Sequence, residues 1–219
     1  MVKPFRRAKD KSELENKEAE GLWHAIARVK EIGEGNEKIS SDTVLKIHRT
    51  IFEFAVPEYA GRLRRNGEDI QKLKCIEPPP GRLVPERFHQ FWRDLDTHMA
   101  AIPRRPSKQT KKQREKWYNG VITLAAWTQH QITSIHPFCE GNGRMARLMT
   151  NLVLQRYGLP PSRVKYEGEN KQAYLSALCQ IDNHQDMEPL KHLIGSAIFE
   201  AQSKERRIRQ QEAAKKRKN

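Results

Sequence analysis

Twelve consecutive residues, His136-Pro137-Phe138-Cys139-Glu140-Gly141-Asn142-Gly143-Arg144-Met145-Ala146-Arg147, bring together a base, a carboxylate, a glycine turn and two guanidinium groups. That set suits phosphoryl chemistry. His136 is the residue here able to accept a proton near neutral pH. Glu140 is placed to hold Mg²⁺, which binds through one or two carboxylates plus substrate phosphates and keeps several waters. Gly141 and Gly143 let a diphosphate approach the backbone, and a glycine turn that opens a helix leaves N–H groups aimed outward with the positive end of the helix dipole behind them. Arg144 and Arg147, three apart, share a helix face and can grip one polyanion. Taken singly each residue also has a plain structural reading; it is their conjunction that points to a site. Phe138, an aromatic between polar residues, reads as a core anchor, and Cys139 as a spacer.

The elements that must position this run follow from hydrophobic periodicity. Trp117, Val121, Leu124, Ala125, Thr128, Ile132 and Ile135 repeat at helical spacing and predict a core helix over 114–135, whose Trp117 and Trp127 serve packing. Pro137 stops that pattern, and Met145, Leu148, Met149, Leu152 and Val153 restart it over 143–157. Further helices are expected over 10–32, 41–55, 84–100, 168–183 and 188 to about 211. Short connections between such helices suit an all-α bundle.

The run fits HxFx(D/E)GNGRxxR at every defined position, and in this it resembles the signature of the Fic (Fic/Doc) family. The resemblance extends to Ile47-His48-Arg49 with Phe52, to Ala60-Gly61-Arg62, and to Gly158-Leu159-Pro160-Pro161, and spans roughly residues 10 to 200. It implies an all-α, Fic-type helical bundle with a short β-hairpin flap over the active site. The implied activity is protein adenylylation: AMP moves from ATP, the substrate, to a Ser, Thr or Tyr hydroxyl of a target protein, and pyrophosphate leaves. His136 would then be the catalytic base and Glu140 the Mg²⁺ ligand. Gly141, Asn142, Gly143, Arg144 and Arg147 would bind the nucleotide phosphates. Asn170 and Tyr174 fall where the family carries nucleotide-side residues on a later helix. A related phosphotransferase branch has Lys where this chain has Gly143, which favours AMP transfer.

Two flanking regions take their meaning from the same resemblance. Leu14, Leu22, Ala25, Ile26, Val29 and Ile32 stripe the first helix, and within it Asn16-Lys17-Glu18-Ala19-Glu20-Gly21 is similar to the family's inhibitory motif (S/T)xxxE(G/N), with Asn16 in place of the hydroxyl residue. Glu20 would be the inhibitory carboxylate, pairing with Arg147 and denying it to the γ-phosphate. An ordinary surface glutamate is the competing reading. Between Arg65 and Pro80, Asn66-Gly67 signals a tight turn and Pro78-Pro79-Pro80 ends what precedes it, where the flap is expected to dock a target segment by strand pairing. The implied organisation is an amino-terminal inhibitory helix over 1–40, a Fic domain over 41–200 and a basic carboxy-terminal extension over 201–219.

Composition narrows the rest. The chain has 219 residues and three cysteines, Cys75, Cys139 and Cys179, too scattered to suggest a disulfide framework or a zinc site. No apolar run is long enough to span a bilayer, and the first residues lack an apolar signal segment, so cytoplasmic residence and no membrane partner are expected. The net charge of +14 concentrates in two places: residues 204–219 hold eight Lys/Arg against Glu205 and Glu212, and residues 103–116 hold seven against Glu115. The remainder is nearly balanced, so the charge marks a tail and a connection. Nucleic-acid binding by the tail, a homo-oligomer, transfer of UMP or a whole phosphate, and a non-catalytic binding module are the alternatives left open.

Overall fold

The computed structural model describes residues 11–70, 75–103, 109–162 and 168–216. Seven α-helices run through them: α1 (Lys11–Glu34), α2 (Ser41–Phe52), α3 (Val84–Ala101), α4 (Lys111–Ile135), α5 (Asn142–Arg156), α6 (Gly168–His184) and α7 (Glu188–Lys216), with a 3₁₀ turn at Gly81–Leu83 before α3. Their starts are chemically marked. Ser40 and Thr110 cap α2 and α4 with reciprocal side-chain bonds to Thr43 and Gln113, satisfying amide groups that a helix start leaves unpaired. At the far end of α5, Gly158 takes φ 71°, Leu159 N–H donates to Leu154 and Gly158 N–H to Gln155, a glycine-terminated stop that Pro160 reinforces.

The centre is the α4–α5 pair, joined by the site loop. Every residue of the expected α4 stripe is buried, as are Met145, Leu148, Met149, Leu152 and Val153 of α5. Around this pair α3 packs on α4, α7 on α4 and α6, and α1 on both α2 and α5. Trp127 stacks on Phe91 at 5.5 Å and meets His98 edge-on, the packing role expected of it. The α7 helix is anchored by Leu190, Ile194 and Ile198, and its described side chains between 204 and 211 are exposed.

Of two further sequence expectations, one falls partly outside the described residues and one is overturned. Residues 71–74, at the heart of the expected hairpin, lie outside the described residues; of the neighbouring segment, Arg65–Glu68 forms the tight turn, closed by Glu68 N–H to Arg65 O at 3.0 Å with Gly67 at φ 82°. Cys75 and Cys179, read as unrelated, are a disulfide with Cα atoms 5.4 Å apart, tying the chain just before the Pro78–Pro80 run to α6. The pairing was not visible in sequence because 104 residues separate the partners and only the tertiary fold brings them together. Among the described residues no helix is long and apolar enough to cross a membrane.

Candidate active site

The site forms where α4 stops and α5 begins. His136 ends α4 in the left-handed conformation, φ 49° and ψ 59°, and Gly141, at φ 78°, precedes the first residue of α5. Between them the loop lines a cavity of about 320 Å³ with His136, Cys139, Glu140, Gly141, Asn142, Gly143, Arg144 and Arg147. Eight of the expected site residues or their direct neighbours are thus in one place. Glycine is required at 141 twice over: by its positive φ, and because a Cβ there would sit 2.4 Å from the Phe52 ring. At Gly143 the protein itself leaves room, since a Cβ would meet nothing nearer than Arg147 Nη1 at 3.5 Å. The space it would fill belongs to the cavity.

His136 is arranged as a base. Its Nδ1 lies 3.0 Å from the Thr133 carbonyl, which can only accept, so Nδ1 carries the hydrogen and Nε2 keeps the lone pair. Burial pushes its pKa below the ordinary imidazole value, the Thr133 bond opposes this, and the Arg64 guanidinium lowers it further. The ring is therefore neutral and able to accept at physiological pH. Cys139 is the opposite case. Burial first, and then the Glu68 carboxylate, push its thiol up to about 11, so it stays protonated and is no nucleophile.

A metal fits this donor set in one way. Glu140 is exposed in the cavity as its single lining carboxylate, and among the described residues no group of three or more His, Cys, Asp or Glu converges. A hard cation such as Mg²⁺, shared between one carboxylate, water and ligand phosphates, matches that chemistry better than an all-protein cage.

The loop is held by residues that sequence reasoning had not assigned to the site. Arg64 is fully buried, and its guanidinium donates Nε–H to His136 O at 2.6 Å, Nη1–H to Glu68 O at 2.8 Å and Nη2–H to Pro79 O at 3.0 Å and Ile135 O at 3.3 Å. Its own N–H donates to Pro137 O at 2.8 Å. One side chain thus fastens the end of α4 to the segment around the tight turn. Because four carbonyls would lose their donor, Arg64→Met is expected to cost about 3–5 kcal/mol of stability, from the penalty for stranding buried polar groups. Denaturant unfolding measures it, and a loss below about 1 kcal/mol would mean these bonds are idle. Alongside, Arg62 grips Glu68 through two bonds of 2.8 and 2.7 Å and, as the leading cause, holds that carboxyl down at about 2.

Of the remaining expected nucleotide residues, Asn142 lines the cavity, whereas Asn170 and Tyr174 do not. Asn142 lines the cavity, but its side-chain amide is engaged by Phe138: Phe138 N–H donates to Oδ1 at 2.9 Å and Nδ2–H to Phe138 O at 2.7 Å. Through these two bonds it closes the loop. Tyr174 is buried between helices and its hydroxyl accepts from Gln129 Nε2 at 3.0 Å, because it shares the inward face of α6 with Ala177, Leu178 and Ile181. Asn170 is exposed in the first turn of α6, and neither residue lines the cavity.

The amino-terminal helix also reaches the site. Glu18 Oε2 lies 2.5 Å from Arg144 Nη1, whose guanidinium also lies over the Phe52 ring at 4.7 Å. Helical phase is the reason. Glu18 falls on the stripe of Gly21, Ala25, Val29 and Ile32 that faces α2 and α5, whereas Glu20 falls outside it and is exposed. Gly21 permits the contact, since a Cβ there would sit 2.6 Å from the Thr50 and Ile51 carbonyls.

Comparison with known proteins bears on the family and the fold. The Fic/DOC family model matches residues 38–154. A protein adenylyltransferase Fic from Nematostella vectensis is 32% identical over 180 residues, covering 82% of this chain and 37% of that protein. Protein adenylyltransferase fic-1 from Caenorhabditis elegans is 28% identical over 156 residues, covering 70% of this chain and 26% of its own length. The chain therefore spans well under half the length of these curated relatives. In three dimensions a solved fragment of C. elegans Fic-1 superposes with a TM-score of 0.68 at 23% identity, over 96% of this chain and 56% of that one. A Fic-domain signalling protein from Bacteroides thetaiotaomicron gives 0.67 at 20% identity, over 87% and 71%.

Proposed function

Because the chain belongs to the Fic/DOC family, we propose that it is a protein adenylyltransferase, moving AMP from ATP to a hydroxyl side chain of a protein with release of pyrophosphate. The observation that carries this reading is the orientation of His136: its Nδ1 is committed to Thr133 O, so Nε2 is the accepting nitrogen of a cavity that also holds Glu140, two glycines and two arginines. Nε2 takes the proton as the hydroxyl oxygen bonds to the α-phosphorus, and the bond to the α–β bridging oxygen breaks. The amides at the start of α5 and the helix dipole steady the charge on the α- and β-phosphates, and Arg144 and Arg147 bind the outer ones. Glu140 would hold Mg²⁺, which would supply charge neutralisation at the phosphates. Asn142 contributes by keeping the loop closed.

In the same reading residues 1–40 are a restraint, 41–200 the catalytic domain and 201–219 a basic arm. Glu18 is the carboxylate that occupies Arg144 and keeps it from the nucleotide. The compartment expected from sequence was the cytoplasm, but the Cys75–Cys179 bridge favours an oxidising one, where disulfides persist. The basic stretch of α7, exposed over its described side chains between 204 and 211, fits a polyanion, and DNA affinity that survives His136→Ala and falls steeply with salt would mark it as a nucleic-acid contact.

Parallel incubation with Mg²⁺ and ATP labelled at the α- or the γ-phosphate tests the activity. Retention of the α-label alone on protein is expected. Retention of the γ-label would make the chain a phosphotransferase.

A further inference from the structure

A histidine that the chemistry does not use lies directly beneath the loop. His48 is fully buried in α2, and the two nitrogens of its ring face different backbone groups. Gly61 N–H donates to Nδ1 at 2.9 Å, and Nε2 lies 3.1 Å from the Glu140 carbonyl oxygen. An amide N–H can only donate and a carbonyl can only accept, so Nδ1 is bare and Nε2 carries the hydrogen. The ring is held in place by Phe138, stacked at 3.9 Å with 13° between planes, and by Phe52 at 4.6 Å.

The consequence lies in the next peptide. In a trans peptide the carbonyl of residue 140 and the N–H of residue 141 point in opposite directions, and no peptide among those described is cis. Drawing the Glu140 oxygen down toward α2 therefore turns the Gly141 N–H away from the core, toward the cavity that Gly141 lines. We propose that His48 is a positioning residue for phosphate binding, its Nε2–H holding the Glu140 carbonyl so that the Gly141 N–H stays aimed at a nucleotide phosphate. This rests on the reading of the cavity as a nucleotide site.

Two substitutions separate this role from packing, because each keeps one end of the bridge. In His48→Gln the amide reaches the place of Nε2 and can still donate to Glu140, but the acceptor for Gly61 is lost. In His48→Asn the oxygen replaces Nδ1 and the Glu140 bond is lost. Both remove the ring stacking. Affinities of the full chain for ATP and for adenosine are measured with the melting temperature. His48→Asn is expected to weaken ATP binding about tenfold and leave adenosine unchanged, while His48→Gln stays within about threefold of wild type for both. Equal losses in the two variants, or wild-type ATP affinity in His48→Asn, would overturn the proposal. A readout free of folding effects comes from ¹⁵N NMR of the wild-type imidazole, where a neutral ring protonated at Nε2 is expected and an Nδ1–H tautomer or a cation at pH 7 would overturn it. A wild-type chain that binds adenosine and ATP equally weakly would instead strike the nucleotide reading itself.

Discussion

Replacing His136 with alanine is expected to cut AMP transfer by about 10²- to 10⁴-fold, the range for a lost general base, with ATP affinity little changed. The separation follows from geometry. In the proposed reading the phosphates are bound by backbone groups and arginines of the loop and α5 that line the cavity, and these do not depend on the imidazole. Nor does the loop: its fastening runs through the His136 carbonyl to Arg64, the Phe138–Asn142 pair and the Glu140 carbonyl, all of which alanine retains. The rate should also fall on acidification with an apparent pKa below the 6.5 of ordinary imidazole, because burial favours the neutral ring and a base works only above its folded-state pKa. Single-turnover transfer and equilibrium ATP binding, measured together across pH, check both points. A parallel loss of binding and rate would mean that His136 serves to build the site and is not its base.

The second large effect is a gain. Glu18→Gly is expected to raise transfer about 10- to 100-fold, whereas Glu20→Gly should leave it within about threefold of wild type, taking about 1.5–3 kcal/mol for a hydrogen bond to a charged group. The Glu18–Arg144 pair is about three-quarters buried on both sides, so it is shielded from solvent far better than an exposed ion pair. Removing the carboxylate frees a guanidinium that already sits at the cavity edge over Phe52. Because glycine also lowers helix propensity, Glu18→Gln is the companion: it keeps the side chain, loses the charge and should retain part of the gain. Comparison of initial rates for the three variants decides the register. A gain confined to Glu20→Gly would restore the alignment implied by the motif and assign the Glu18 contact to structure alone.

The parts of this fold legible in sequence were those that repeat. The stripes of α4 and α5 gave the central pair, and Pro137 with Gly141 marked where one stops and the other starts. The site loop was legible for a related reason: its chemistry lies within twelve contiguous residues, so neighbours in sequence are neighbours in space. What could not be read depended on long-range contact. Glu18 and Glu20 both sit on a charged helix, and the choice between them rests on which face α2 and α5 cover. Arg64 lies in a stretch with no helical period, and its four carbonyl partners come from three separate segments. His48 did leave a signal. It falls on the same face as Val44, Ile47, Ile51 and Phe52, and a polar residue within an apolar stripe implies buried partners.

Transfer of AMP to a protein hydroxyl with His136 as the base can be read from mass alone. The most direct measurement is the intact mass of the Glu18→Gly protein after incubation with Mg²⁺ and ATP, beside a Glu18→Gly/His136→Ala double variant. Addition of one or more AMP groups to the first protein and none to the second is expected. An unchanged mass in both, an added phosphate alone, or equal AMP addition in the two proteins would contradict it.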